Sequence, residues 1–296
     1  MLYSLLPMIL RVVKRVCLAP LVYCIDKIYT TEVHSKHEKI ATSVNSLTCT
    51  PSAFLDKPRK EQLEVLAVDV IIFTTNLSLV AGLYWINGWI GISPMSWTNI
   101  GWTWLYMYLT MDLATASIHF MLDDPMTKNH PLKTIQNLAW QFQDHHDKPY
   151  DNTLPPLFHV LCNFSFALFL PLVFCYVYTL AFKVNYCAYG VAMVSFALLS
   201  QYVHRSIHYV DDQRSWWIKQ LMRVGLVQSV ENHHKHHKTY DCYYATLSGW
   251  TDPVMHFMTK YIPRYKHNNP DLFDITMRYM FLVMPIGYAI LSKVFC

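Results

Sequence analysis

The 296-residue chain is 53% hydrophobic and 15% charged, with a mean hydropathy of +0.17. Average soluble domains carry about 25% charged residues. That balance excludes disordered, collagen-like and coiled-coil chains, and fits an all-α integral membrane protein with a substantial polar portion. A net charge of +4 is too mild to indicate nucleic acid, and no basic stripe interleaved with stacking aromatics accompanies it.

In chain order, Met1–Cys24 is apolar, with Arg11, Lys14 and Arg15 inside the run and Pro7 and Pro20 interrupting it. A cleaved signal peptide places its charge before the apolar core, so an interfacial amphipathic helix is the preferred reading and a targeting peptide the alternative. Residues 30–60 read as a linker, which divides the chain into a 1–60 N-terminal region and a 61–296 membrane-embedded domain. A spanning helix needs about 20 mostly apolar residues. Val65–Ile86, Ile100–Phe120, Leu157–Phe182 and Tyr186–Tyr209 qualify, giving four spans. Thr276–Phe295 is a weaker fifth, because Pro285 and Gly287 interrupt it. Lys and Arg concentrate in 1–64 (nine) and 210–275 (eight), with three in 121–156, while the opposite-side loops hold only Lys183. The positive-inside bias therefore predicts that these three polar portions face the cytosol. The eight cysteines show no CxxC and read as free thiols.

Histidine is the compositional outlier. Ten of the 15 converge on the cytosolic ends of the predicted spans: His119, His145, His146, His159, His204, His208, His233, His234, His236 and His237. His34, His37, His130, His256 and His267 read as ordinary hydrogen-bonded polar residues. His119 and Asp123 are i,i+4 and share a helical face, as do His204 and His208. His233, His236 and His237 form HxxHH within an arc of about 100°, although HHxxH through His234 fits as well. One metal takes four to six ligands, so a set this large suits two. Neutral imidazole suits iron, zinc, copper or nickel, and the absence of Cys argues against a structural zinc. Asp112, Gln201 and Asn163 are spaced to orient the histidines from behind, as metal-ligating imidazoles require. An intramembrane Asp is costly without such a role.

Two metals at a membrane face suit O2 chemistry on lipids, and the absence of haem, flavin or NAD motifs implies an external electron donor such as cytochrome b5. Four segments then carry a resemblance. Asp112-Leu-Ala-Thr-Ala-Ser-Ile-His119-Phe-Met-Leu-Asp123 resembles DLxxxxxHWxxD. Phe142-Gln-Asp-His145-His146-Asp-Lys-Pro149 resembles FxxHHxxP. Gln201-Tyr-Val-His204-Arg-Ser-Ile-His208 resembles QxxHxxxH. His233-His-Lys-His236-His237, with Tyr243, Tyr244 and Gly249-Trp250-Thr-Asp-Pro253, resembles HxxHH…YC…GWxNP. These are motifs of the Kua-type lipid desaturases, which include the plasmanylethanolamine desaturases and the plant plastid enzyme that makes a trans-3 double bond in phosphatidylglycerol. Phe120 stands where the family has Trp, and Asp124-Pro125 where it has Thr-Trp.

The resemblance spans roughly 65–255. It implies a helical membrane enzyme with a di-iron centre held by His119, Asp123, His145, His146, His204, His208, His233, His236 and His237. It also implies O2 as co-substrate and a membrane phospholipid as substrate. The expected reaction is conversion of a plasmanyl alkyl ether to a vinyl ether. The expected location is the endoplasmic reticulum with the site facing the cytosol, and a plastid or mitochondrial membrane is the alternative. Two other functions compete: an acyl-lipid desaturase or hydroxylase using the same centre, and a His-rich metal transporter.

Overall fold

A computed structural model describes residues 58–295, apart from 150–152, 154, 156, 164 and 270. The predicted N-terminal helix and most of the 1–60 region lie outside the described residues. Every regular element among the described residues is helical. The principal helices are α1 (Arg59–Trp89), α2 (Trp97–Asp123), α3 (Lys133–Asp147), α4 (Leu157–Asn163), α5 (Ser165–Phe182), α6 (Cys187–Ile207), α7 (Trp216–Arg223), α8 (Val230–Thr239), α9 (Asp252–Tyr261), α10 (Leu272–Arg278) and α11 (Met284–Phe295).

Two helical stretches, Arg59–Trp89 and Leu272–Val294, are long and apolar enough to cross a bilayer. The first contains the predicted Val65–Ile86 span and, at 31 residues, is about 46 Å long. Helices α2 and α6 have 27 and 21 residues, but polar and aromatic side chains lower their apolarity. The predicted Leu157–Phe182 span is helical at residues 157–163 and 165–182. Exposed Trp85, Trp89 and Trp97 gather where α1 ends and α2 begins, as interfacial anchors do.

The weakest predicted span, around Pro285, is continuous because its neighbours satisfy its backbone. α10 runs through a π-helical turn, Tyr279–Val283, into α11. Proline lacks the N–H that would bond the preceding turn, and in an apolar setting a freed carbonyl needs another donor. The Tyr178 hydroxyl supplies it, and two further tyrosines bond carbonyls beside the proline. Tyr178 donates to the Phe281 carbonyl at 2.7 Å, Tyr106 to Met284 at 2.7 Å and Tyr186 to Pro285 at 2.5 Å. Gly287 permits the approach of Tyr106, since a Cβ there would lie 2.8 Å from its hydroxyl. Gly287→Ala is therefore expected to destabilise the fold by about 1–3 kcal/mol through overpacking. Thermal unfolding of the variant in detergent measures this, and its metal content should match wild type.

α1 packs on α5, and α2 on α6. The main core lies among these helices and α11, around Leu83, Met107, Leu172, Tyr186, Tyr189 and Tyr288. A second core surrounds the C-terminal end of α2, where Phe120, Met121 and Leu122 meet Tyr244, Met255 and Tyr265. A third lies under the end of α6, where Val203 and Ile207 meet Ile218 and Val227. Each of the two long helices that carry predicted ligands is thus flanked, at that end, by its own small core.

Candidate metal centre

α8 is hydrophilic, so local capping and its buried histidines hold it. Ser229 caps the N-terminus by accepting from the Asn232 N–H at 3.1 Å. Tyr240, left-handed at φ 58°, ends the helix and donates its N–H to the His236 carbonyl at 2.8 Å. The end of α6 is held by the Arg214 guanidinium. It donates to the carbonyls of Ser206 (2.8 Å), Ile207 (3.3 Å) and Tyr209 (2.7 Å), satisfying the last turn.

These supports bring all nine predicted ligands into two adjacent groups. His145, His204, His208, His233 and His237 form one, and His119, Asp123, His146 and His236 the other. Within each group the candidate ligand atoms lie within 4.8 Å of one another. The i,i+4 pairs stay together: His204 with His208, His233 with His237, and His119 with Asp123. Adjacent residues separate, so His145 and His146 enter different groups, as do His236 and His237. This is the result of about 100° of rotation per residue. The HxxHH register is the one assembled, and His234 is exposed and outside both groups.

The tautomers of two rings follow from their partners. The Nδ1 atoms of His119 and His236 lie 2.8 Å from the carbonyls of Tyr244 and Cys242. A carbonyl only accepts, so each Nδ1 carries the proton and each Nε2 presents a lone pair. Those two Nε2 atoms are 3.2 Å apart. Asp123 Oδ2, buried and without a hydrogen-bond partner, lies 3.5 Å from His119 Nε2 and 3.3 Å from His236 Nε2. Three acceptors with no hydrogen among them converge, an arrangement that suits a cation and not a hydrogen-bond network. In the all-histidine group, His233 Nε2 lies 3.1 Å from His208 Nε2 and 3.0 Å from His237 Nε2. His145 Nε2 lies 3.1 Å from His204 Nε2. Burial, reinforced by neighbouring imidazoles, holds the pKa values of His145 and His233 well below the usual range and pushes His237 down to about 3. These three rings are therefore neutral at physiological pH, the protonation state a metal requires.

The loop after α8 supplies the backbone partners that sequence spacing does not reveal. Asp112, fully buried, does not reach His119. Its carboxylate accepts from the N–H groups of Ser248 (2.6 Å), Gly249 (3.1 Å) and Thr251 (2.9 Å) and from the Thr251 hydroxyl (2.8 Å). Gly249 takes φ +82° there, which favours glycine. Asp252 accepts from the Ala245 N–H at 3.0 Å, and Gln228 donates to the Ala245 carbonyl at 3.1 Å. Asp112 therefore fastens the loop whose Tyr244 and Cys242 carbonyls orient His119 and His236.

The remaining predicted residues lie elsewhere. His159 pairs with Asp69 at 2.6 Å, linking α4 to α1, and belongs to neither group. Gln201 lines a cleft beside His119 and His204. Asn163 lies in α4, and its side chain lies outside the described residues. The exposure of His234 predicts that His234→Ala keeps wild-type metal content and changes stability by about 0.5 kcal/mol or less. Metal analysis and thermal unfolding of that variant check this.

Fold and site together define a protein, all-helical among the described residues, with two largely buried histidine-rich groups that could hold metal. A family model described as the lipid desaturase domain matches residues 108–262, more than half of the chain and inclusive of both groups, and the chain belongs to that family. No curated protein and no solved structure matches it. Family membership and the two apolar helices indicate a membrane protein that acts on lipid.

Proposed function

We propose that this chain is a Kua-type, O2-dependent desaturase that converts the alkyl ether of a plasmanyl phospholipid to a vinyl ether. The observation that carries the reading is the pair of adjacent buried groups, one of five histidines and one of three histidines and a carboxylate. The lipid desaturase domain supports the class, and the order of the four histidine motifs supports the Kua-type assignment. His145, His204, His208, His233 and His237 would hold one iron, and His119, Asp123, His146 and His236 the other. Bound iron supplies the reduction of O2 and the removal of hydrogen from an unactivated C–H bond. The balance is R–O–CH2–CH2–R′ + O2 + 2 e⁻ + 2 H⁺ → R–O–CH=CH–R′ + 2 H2O. An external one-electron carrier such as cytochrome b5 delivers the electrons, from the cytosolic side of the endoplasmic reticulum.

The chain's own residues keep the centre ordered. The Tyr244 and Cys242 carbonyls fix the His119 and His236 tautomers. The Phe142 ring packs edge-on against His119, with centroids 5.4 Å apart, and Tyr240 stacks on His146 at 4.3 Å. Metal transport fits less well, because the groups lie at helix ends, whereas transport sites lie near the bilayer midplane.

Expression in cells lacking their own plasmanyl desaturase, followed by lipid profiling, tests the reading. New acid-labile vinyl ethers are expected. A new acyl double bond or hydroxyl group in their place would move the substrate to an acyl lipid, and no lipid change in well-expressed, iron-supplied protein would overturn the desaturase assignment.

A further inference from the structure

A narrow cleft of about 40 Å³ lies between α2, α5, α6 and the π-helical turn. His119 and His204, one ring from each histidine group, line it with their centroids 6.0 Å apart. From there the cleft follows α2 back to Met111 and α6 back to Ala197. Eight residues of helix correspond to about 12 Å, so the cleft runs from the histidines towards the apolar middle of the bundle. Met111, Leu168, Ala197 and Met280 line its deeper part. The hydroxyls of Thr115 and Ser200 also border it, but each donates to a carbonyl of its own helix, Asp112 and Ala197, both at 2.9 Å. The hydrogens of these hydroxyls are therefore already committed, and the lining is mainly hydrocarbon, which suits an apolar occupant.

We infer that this cleft holds the hydrocarbon chain of the lipid substrate, and that Ala197, with Leu168 and Met280 in the same lining, sets how far the chain passes beyond the reacting carbon. The inference rests on the lipid desaturase reading above. A chain entering from the bilayer lies along α2 and α6 and presents a C–H bond beside His119 and His204. The carbon next to the headgroup then lies at the histidine end, and the rest of the chain extends into the bundle. A larger residue at position 197 blocks this path without touching either histidine group.

The test uses the full chain in lipid nanodiscs and a 1-O-alkyl phospholipid carrying a diazirine in mid-chain. Photolabelled residues are mapped by mass spectrometry, and vinyl ether formation is assayed in parallel. Label is expected on Met111, Leu168, Ala197 or Met280. Ala197→Trp is expected to cut it roughly tenfold or more, because the indole fills the space, with iron content unchanged. Label spread over the lipid-facing surface, or concentrated in the separate groove between Trp102 and Leu291, overturns the assignment, as does undiminished labelling in Ala197→Trp. If that variant does not fold, the wild-type labelling pattern decides. Label in the cleft without vinyl ether product keeps the cleft and defeats the ether reading. Product with label elsewhere does the reverse.

Discussion

Replacing His236 by alanine is expected to lower the iron content of the purified chain from about two ions to about one and to abolish desaturation. His236 is fully buried, and its Nε2 is one of three acceptors converging with His119 Nε2 and Asp123 Oδ2. Without it, that group retains two imidazoles and a carboxylate, with a void where the ring stood. Loss of one ligand outweighs the roughly 10–100-fold penalty typical of removing a supporting partner, so the site should empty. His237→Ala, one residue along the same helix, should empty the other group, because His237 lies 3.0 Å from His233. The two variants thus lose the same amount of metal from different sites, and a spectroscopy that distinguishes a carboxylate-bearing site from an all-imidazole one separates them. Equal loss of both ions in each variant would show a single shared site.

Asp112→Ala is expected to destabilise the chain by about 3–5 kcal/mol, as breaking a buried charged network does. It would also weaken iron binding in the group containing His119 and His236. The carboxylate accepts from three backbone N–H groups and one hydroxyl. Alanine leaves those donors buried without partners, at about 1–3 kcal/mol for each unsatisfied group, partly relieved by relaxation. The turn at Ser248–Thr251 would lose its anchor, and the Tyr244 and Cys242 carbonyls would no longer hold two imidazoles in one tautomer. Asp112→Asn should not rescue, because an amide turns an N–H face towards donors. Thermal unfolding and iron analysis read the two effects, and an unchanged melting temperature with full iron content would show that Asp112 does not anchor the loop.

The convergence of the histidines was legible because it depends on helical periodicity, which sequence displays directly. The pairs His119/Asp123 and His204/His208 could be placed on one face by counting, and the structure brings them together as pairs. The register within 233–237 was open because both HxxHH and HHxxH span one face. The i,i+4 pairing of His233 with His237, and the exposure of His234, follow from what α8 packs against. The partners of His119 and His236 were not legible, because a backbone carbonyl acceptor has no residue type to announce it. For the same reason Asp112 read as a partner of His119, seven residues away on one helix, when its contacts are 136–139 residues distant. His159 read with the cluster by its place at a span end, yet it pairs with Asp69 on α1. Pro285 suggested a broken span, since nothing local reveals that Tyr178 bonds the freed Phe281 carbonyl and that Tyr106 and Tyr186 bond the carbonyls beside the proline.

The most direct measurement is Mössbauer spectroscopy, with iron quantitation, of the full chain purified from ⁵⁷Fe-grown cells in the reduced state. Two unlike coordination shells, five imidazoles in one and three imidazoles with a carboxylate in the other, should give about two irons per chain in two ferrous signals of equal area. A single signal, iron well below two per chain, or zinc in place of iron would contradict the two-site account.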